Sequence, residues 1–233
     1  MIPDPATFDW IFFDCFNTLV ADGDDSGEEL GFCGLWSLAV ELRLAMTAEE
    51  LSDRYLQWRL ERRAAVDTWR EADLDERLRA VLGPAADRPG IMDRLRLTWR
   101  YSFPRQIAPI SGVPAMLAHW RASKRLAVVS NFYVPGYPRE MLDRQCLLPY
   151  VTFVLDSAEF GIRKPDPRIY LEAMRRAEVN DPARVLFVGD SWNNDIEGPR
   201  RLGMQVLWYD RLPAERPAEA DQVPSVRMWD AFR

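Results

Sequence analysis

The chain has 233 residues, enough for one large domain or two small ones, and 48% are hydrophobic, so a sizeable core can be buried. A formal charge of −6 argues against nucleic acid as the main partner, because phosphate backbones attract basic surfaces. No apolar run approaches the roughly 18 residues a membrane helix needs, and no export signal is visible, so a cytoplasmic protein away from membranes is expected.

The cysteines, Cys15, Cys33 and Cys146, are odd in number and fit no zinc spacing, which suits reduced thiols. Among 30 basic residues only Lys124 and Lys164 are lysines, and His119 is the one histidine. His119 falls in a helical stretch and reads as structural. Hydrolytic chemistry would therefore need carboxylates, a metal or both.

Taken in chain order, Trp10 to Phe13 is a continuous apolar run that reads as a buried parallel strand ending at Asp14. Residues 21–27 are short, acidic and glycine-containing, like a hinge. The segment from Asp22 to Gly27 imitates the start of a calcium loop, but Cys33 stands where the bidentate Glu belongs, so calcium is not expected. Helical segments follow over 29–45, 47–66, 70–82 and 90–102. Thr47 with Glu50 three residues later forms a capping box opening the second. Trp36, Trp58, Trp69 and Trp99 in this region are expected in its core, with one or two available to line a substrate pocket. Arg43, Arg59, Arg62 and Arg63 read as solvated helix faces.

From there strands and helices alternate. A helix over 114–123 leads to a strand over 126–129 ending at Ser130 and Asn131. A helix over 138–144 leads to a strand over 151–155 ending at Asp156. Lys164 precedes a helix over 167–178. A strand over 185–188 ends at Gly189-Asp190, and a helix over 195–202 leads to a last strand over 205–209. This alternation predicts an α/β fold with a doubly wound parallel sheet, Rossmann-like, carrying its site beyond the carboxyl ends of the strands. The predicted domains are an α/β core over 1–20 and 106–233, with an all-helical domain inserted over 21–105. The Pro- and Ala-rich tail from Pro213 to Pro224 is expected to loop over the surface.

Each polar group at a strand end also suits a structural role. An Asp there can cap a helix as readily as attack a substrate. The order of four segments is more specific: Asp14-Cys-Phe-Asn-Thr18, Ser130-Asn131, Lys164-Pro165 and Gly189-Asp190 with Asp195. Together they resemble motifs I to IV of the haloacid dehalogenase superfamily, over about residues 8–20 and 107–210, with residues 21–105 where that family carries its type 1 cap. The resemblance implies a hydrolase in which Asp14 is the nucleophile and Lys164 neutralises charge. Thr18, Ser130 and Asn131 would position the transferred group. Asp190 would bind Mg²⁺ with Asp14 and the carbonyl of Phe16, and Asp195 would support the metal or order Lys164.

Phe16 departs from the family's phosphatases, which have an Asp two residues after the nucleophile as general acid. The family's 2-haloacid dehalogenases have an aromatic residue there and need no metal. This chain resembles them also at Tyr170, six residues after the lysine, which would then touch substrate. Asp190, however, belongs to the phosphatase pattern. Residues 21–105 contain no lysine, which argues against a phosphonoacetaldehyde hydrolase. The expectation is a Mg²⁺-dependent phosphohydrolase acting on a small molecule with a good leaving group. The alternatives are a metal-independent 2-haloacid dehalogenase and a catalytically impaired ligand-binding relative. Whether two copies pair as a homodimer stays open.

Overall fold

The computed structural model describes residues 2–21, 35–36, 42–44, 46–64, 69–102, 107–211 and 217–229. The chain divides into two compact units, Met1–Ala21 with Pro109–Arg233, and Asp22–Ala108.

The first unit is built on a six-stranded sheet. Its strands are β1 (Trp10–Phe13), β2 (Arg125–Ser130), β3 (Phe153–Asp156), β4 (Val185–Gly189), β5 (Gln205–Tyr209) and β6 (Ser225–Val226). Their order across the sheet is β3-β2-β1-β4-β5-β6, and every pairing is parallel. This is the doubly wound arrangement, with helices on both sides. The strands read as unbroken apolar runs because both faces are covered: Phe12, Val129, Leu155 and Phe187 are fully buried in one core. The chain runs from β1 outward to β3 and returns to the other side of β1 as β4. The switch point therefore lies between β1 and β4, where such sheets open a crevice. Register aligns Phe13 with both Val128 and Val188, so the residues following these strands emerge side by side.

The helices of this unit are α4 (Val113–Arg121), α5 (Tyr137–Arg144), α6 (Ser157–Phe160), α7 (Pro167–Arg176) and α8 (Gly198–Arg201). The last expected helix, over 195–202, begins instead as a π-helical turn, Trp192–Glu197, before α8. Wide turns of this kind occur frequently at functional sites. Close packing at this point depends on Gly198: a Cβ there would strike the Tyr170 hydroxyl.

The tail also differs from expectation. Residues 212–216 lie outside the described residues, but Ala220–Gln222 forms a 3₁₀ turn and Ser225–Val226 pairs with β5 as the sixth strand. Ala220 and Val223 are buried in the core. Ala218, between Pro217 and Ala220, stays exposed.

The second unit contains α1 (Ala48–Ala64), α2 (Leu74–Leu82) and α3 (Ile91–Ser102). The capping box forms: Thr47 N–H donates to Glu50 at 2.6 Å, and Glu50 N–H donates to Thr47 Oγ1 at 3.1 Å. Helix α2 begins at Leu74 rather than 70, because Asp73 caps it, accepting from Glu76 N–H at 2.8 Å. Trp36 and Trp99 are buried, Trp58 is half-buried and Trp69 is exposed. Of the expected helix over 29–45, only residues 35–36 and 42–44 are described, the first two as helix. The calcium-loop look-alike and Cys33 lie outside the described residues.

Arg77 sits on the apolar face of α2 and is buried. Its guanidinium pairs with Glu71 at 3.0 Å and donates to Tyr55 Oη at 2.8 Å and to the Ala72 carbonyl at 2.9 Å. It also lies 5.7 Å from the Trp58 ring centre. Arg62, expected to be solvated, bonds the Arg70 carbonyl at 2.6 Å.

Candidate active site

The site begins at the end of β1. Asp14 N–H donates to the Val188 carbonyl at 2.9 Å, which continues the β1–β4 ladder by one residue and sets Asp14 beside the end of β4. The chain then turns tightly. Leu19 and Val20 both donate to the Cys15 carbonyl, at 2.8 and 3.1 Å, and Asn17 takes a left-handed conformation with φ of 64°. An Asn tolerates this region where most side chains do not. The turn returns Thr18 toward β4, and its hydroxyl makes a long 3.5 Å contact with Asp190 Oδ1.

Lys164 is fully buried, and its ammonium lies 2.7 Å from Asp14 Oδ1 and 2.7 Å from Asp195 Oδ1. Burial alone would lower its pKa, but the charges of Asp14 and Asp195 outweigh that and hold it protonated. Asp195 accepts from Ser191 N–H at 3.0 Å through its other oxygen. Gly189 makes room for it, since a Cβ there would collide with the Asp195 carboxyl group. Burial pushes the Asp195 carboxyl up, with Lys164 pulling the other way. Asp190 is raised well above the usual carboxylate range by burial and then by the charges of Asp14 and Asp195. Ligand oxygens of Asp14, Asp190 and Asp195 all lie within 4.8 Å of one another.

Ser130 is fully buried, and its Oγ has no hydrogen-bond partner among the described residues. Leaving a hydroxyl unsatisfied costs about 1–3 kcal/mol, so its orientation is not a device for stability.

Asn131 links the end of β2 to Lys164. Its side-chain oxygen accepts from Lys164 N–H at 2.7 Å, and its amide donates to the Lys164 carbonyl at 2.9 Å. Both halves of the amide thereby hold the Lys164 backbone, which leaves one N–H of the amide for another partner. Tyr170 is held by its own contacts. Six residues after the lysine falls on the buried face of α7, so the ring is fully buried against Phe187 and its hydroxyl donates to the Asn194 carbonyl. It supports the loop that carries Asp195 rather than facing substrate.

Phe16 is buried in an aromatic stack. Its ring centre lies 4.5 Å from Phe132, which lies 5.0 Å from Tyr137. The loop bearing these rings is pinned at both ends. Ser157 Oγ accepts from Phe132 N–H at 2.9 Å and donates to its carbonyl at 3.1 Å, and Asp156 accepts from Gly136 N–H at 3.0 Å. His119 stands apart: it is exposed at the end of α4, edge-on to Trp120. Cys15 is buried and Cys146 is exposed.

Two site contacts had no counterpart in the sequence reading. Trp208 Nε1 donates to the Asp190 carbonyl at 2.9 Å, and Trp229 Nε1 donates to the Thr18 carbonyl at 3.0 Å. The available signal was general: a buried indole must place its N–H on an acceptor.

The chain is similar to known proteins in sequence and in fold. Over 110 residues the chain is 36% identical to phosphoserine phosphatase of Thermus thermophilus, a match covering 47% of this chain and 43% of that protein. The chain thus spans less than half the length of that relative. It is 26% identical over 219 residues to pyrimidine 5′-nucleotidase YjjG of Escherichia coli, covering 90% of this chain and 89% of that one. The crystal structure of a HAD phosphatase from Thermococcus onnurineus superposes with a TM-score of 0.72 at 23% identity, over 97% of this chain and 96% of that chain, which shows a shared fold. Among the described residues no helix is long and apolar enough to cross a membrane. The model of the haloacid dehalogenase-like hydrolases matches residues 8–203, spanning the motifs at Asp14, Ser130, Lys164 and Asp190, and the chain belongs to that hydrolase family.

Proposed function

We propose that this hydrolase is a Mg²⁺-dependent phosphohydrolase of the cytoplasm, acting on a small-molecule phosphate whose leaving group is good, through a covalent intermediate on Asp14. The charge balance of the site carries this reading. Three carboxylates have oxygens within 4.8 Å of one another, and the Lys164 ammonium pairs with two of them, Asp14 and Asp195, so the fully ionised cluster would repel an anionic substrate. The donor set therefore fits a hard divalent cation, and Asp14, Asp190 and the Phe16 carbonyl would hold it. Such an ion neutralises the carboxylates and polarises phosphoryl oxygens.

The chain's own residues supply the rest. Lys164 holds one Asp14 oxygen, leaving the second to attack phosphorus while the bond to the leaving group breaks and its electron pair departs on the leaving oxygen. Water then cleaves the acyl phosphate, releasing orthophosphate and restoring the carboxylate. The buried Ser130 hydroxyl is a donor suited to a phosphoryl oxygen. Asn131 acts through Lys164, by fixing its backbone.

Phe16 narrows the substrate. It brings a hydrocarbon stack where a proton donor would stand, and general acid catalysis is worth about 10²–10⁴-fold. Nucleotides and phosphoserine carry alkanol leaving groups, which gain most from such an acid. Acyl and aryl phosphates gain least and fit this site better. The same residue favours a second reading, dehalogenation, since halide leaves without a proton. Asp190 weighs against it, because it adds negative charge where a haloacid carboxylate would approach.

Asp14→Asn tests the mechanism, since an amide is not a competent nucleophile here. The variant should fold normally and lose turnover. Single-turnover hydrolysis by the parent in ¹⁸O-water should place label in orthophosphate, because water attacks phosphorus, whereas label in Asp14 would mark water adding to the carboxyl carbon of an alkyl ester, the dehalogenase route. Activity surviving in the variant above about a thousandth of the parent would sink the covalent route.

A further inference from the structure

The family match ends at residue 203, yet both indoles that bond to the site lie beyond it. Trp208 is the fourth residue of β5 and pairs in register with Ser225 of β6. Its ring packs edge-on against Trp192, at 5.2 Å, in the turn that carries Asp195. Its N–H is placed on the carbonyl of Asp190. Trp229 follows β6, is 2% exposed, and stacks on Tyr209 at 4.4 Å with an interplanar angle of 13°. Its N–H crosses to the carbonyl of Thr18, in the turn that follows Asp14.

We propose that the C-terminal segment is a working part of the site, and that Trp208 and Trp229 are positioning residues which fix the peptides of Asp190 and Thr18. Each bond constrains the backbone of a residue whose side chain faces the carboxylate cluster, and Thr18 and Asp190 meet each other at 3.5 Å. Outer partners of this kind orient the groups that bind a metal or a substrate, and losing one costs about 10–100-fold in affinity or activity. The proposal rests on the reading of Asp14, Thr18 and Asp190 as the working site. It adds a division of labour: Trp208 serves the metal ligand, and Trp229 serves the turn that receives substrate.

The test uses Trp208→Phe and Trp229→Phe in the full chain, since phenylalanine keeps an aromatic ring and removes the N–H. Three readouts are taken: Mg²⁺ binding by calorimetry without substrate, kcat and KM on para-nitrophenyl phosphate, and hydrogen exchange by mass spectrometry. Trp208→Phe should weaken Mg²⁺ binding by about tenfold. Trp229→Phe should leave Mg²⁺ binding within about twofold and lower kcat/KM by about tenfold. Exchange should rise only in peptides covering residues 190–194 for the first variant and 16–19 for the second, with the thermal midpoint lowered by about 2–10 °C and the fold retained. A parent protein that neither binds Mg²⁺ nor turns over phosphate esters would defeat the functional reading, and hydrogen exchange alone would then decide the proposal. Unchanged exchange in both loops, or variants matching the parent in all three readouts, would overturn it.

Discussion

Under the proposed function, substrate choice turns on Phe16. Without a proton donor, leaving-group departure relies on the stability of the departing anion, so rates should fall steeply as leaving-group pKa rises. Acetyl phosphate and para-nitrophenyl phosphate should be cleaved far faster than glycerol phosphate. Phe16→Asp should raise activity on alkyl phosphates by about tenfold or more and help activated ones much less. A flat dependence of log kcat/KM on leaving-group pKa, with chemistry rate-limiting, would contradict this. Asn131 gives a second prediction at this scale. Asn131→Ala leaves both polar groups of the Lys164 peptide without their partner, so kcat on para-nitrophenyl phosphate should fall about tenfold or more while KM changes little. A variant that raises KM alone would return Asn131 to direct substrate binding. Asp14, Ser130, Lys164 and Asp190 were legible as polar residues closing apolar runs, or as one of two lysines. The roles of Asn131 and Tyr170 were not, because sequence position says which groups come near a site but not which partners they satisfy first.

At the scale of elements, the parallel strands were readable because burial on both faces leaves continuous apolar runs, and β5 was placed residue for residue. The sixth strand was not, since two residues carry no periodicity and its pairing depends on β5 already being in place. The π-helical turn was equally hidden: it arises from packing Asp195 against Gly189 and Tyr170 against Gly198. In the helical unit, Arg77 is the informative case. It shares the face of Leu74, Leu78, Val81 and Leu82, and that spacing marks it as inward-facing despite its charge. Arg77→Ala removes the ion-pair partner of the buried Glu71 carboxylate at 3.0 Å and should cost about 3–5 kcal/mol, whereas a double variant replacing Arg77 with Met and Glu71 with Leu should cost much less. Urea unfolding measures both. A single variant within about 1 kcal/mol of the parent would mean that the pair is not buried in solution.

At the scale of the molecule, a doubly wound sheet brings three strand ends to one crevice, and the sequence assigns a carboxylate, a hydroxyl and a second carboxylate to them: Asp14, Ser130 and Asp190. The fold alone serves many chemistries, so function rests on this constellation. Its excess negative charge asks for a cation, and the aromatic wall at Phe16 asks for a leaving group that needs no proton. Release of phosphate and of halide, measured in parallel with Mg²⁺ and with EDTA across a panel of activated phosphates and 2-haloacids, tests both demands together. Phosphate release from acetyl phosphate and para-nitrophenyl phosphate that requires Mg²⁺ and is abolished by EDTA is the predicted result. Halide release that persists in EDTA, with no phosphate released under either condition, would contradict it.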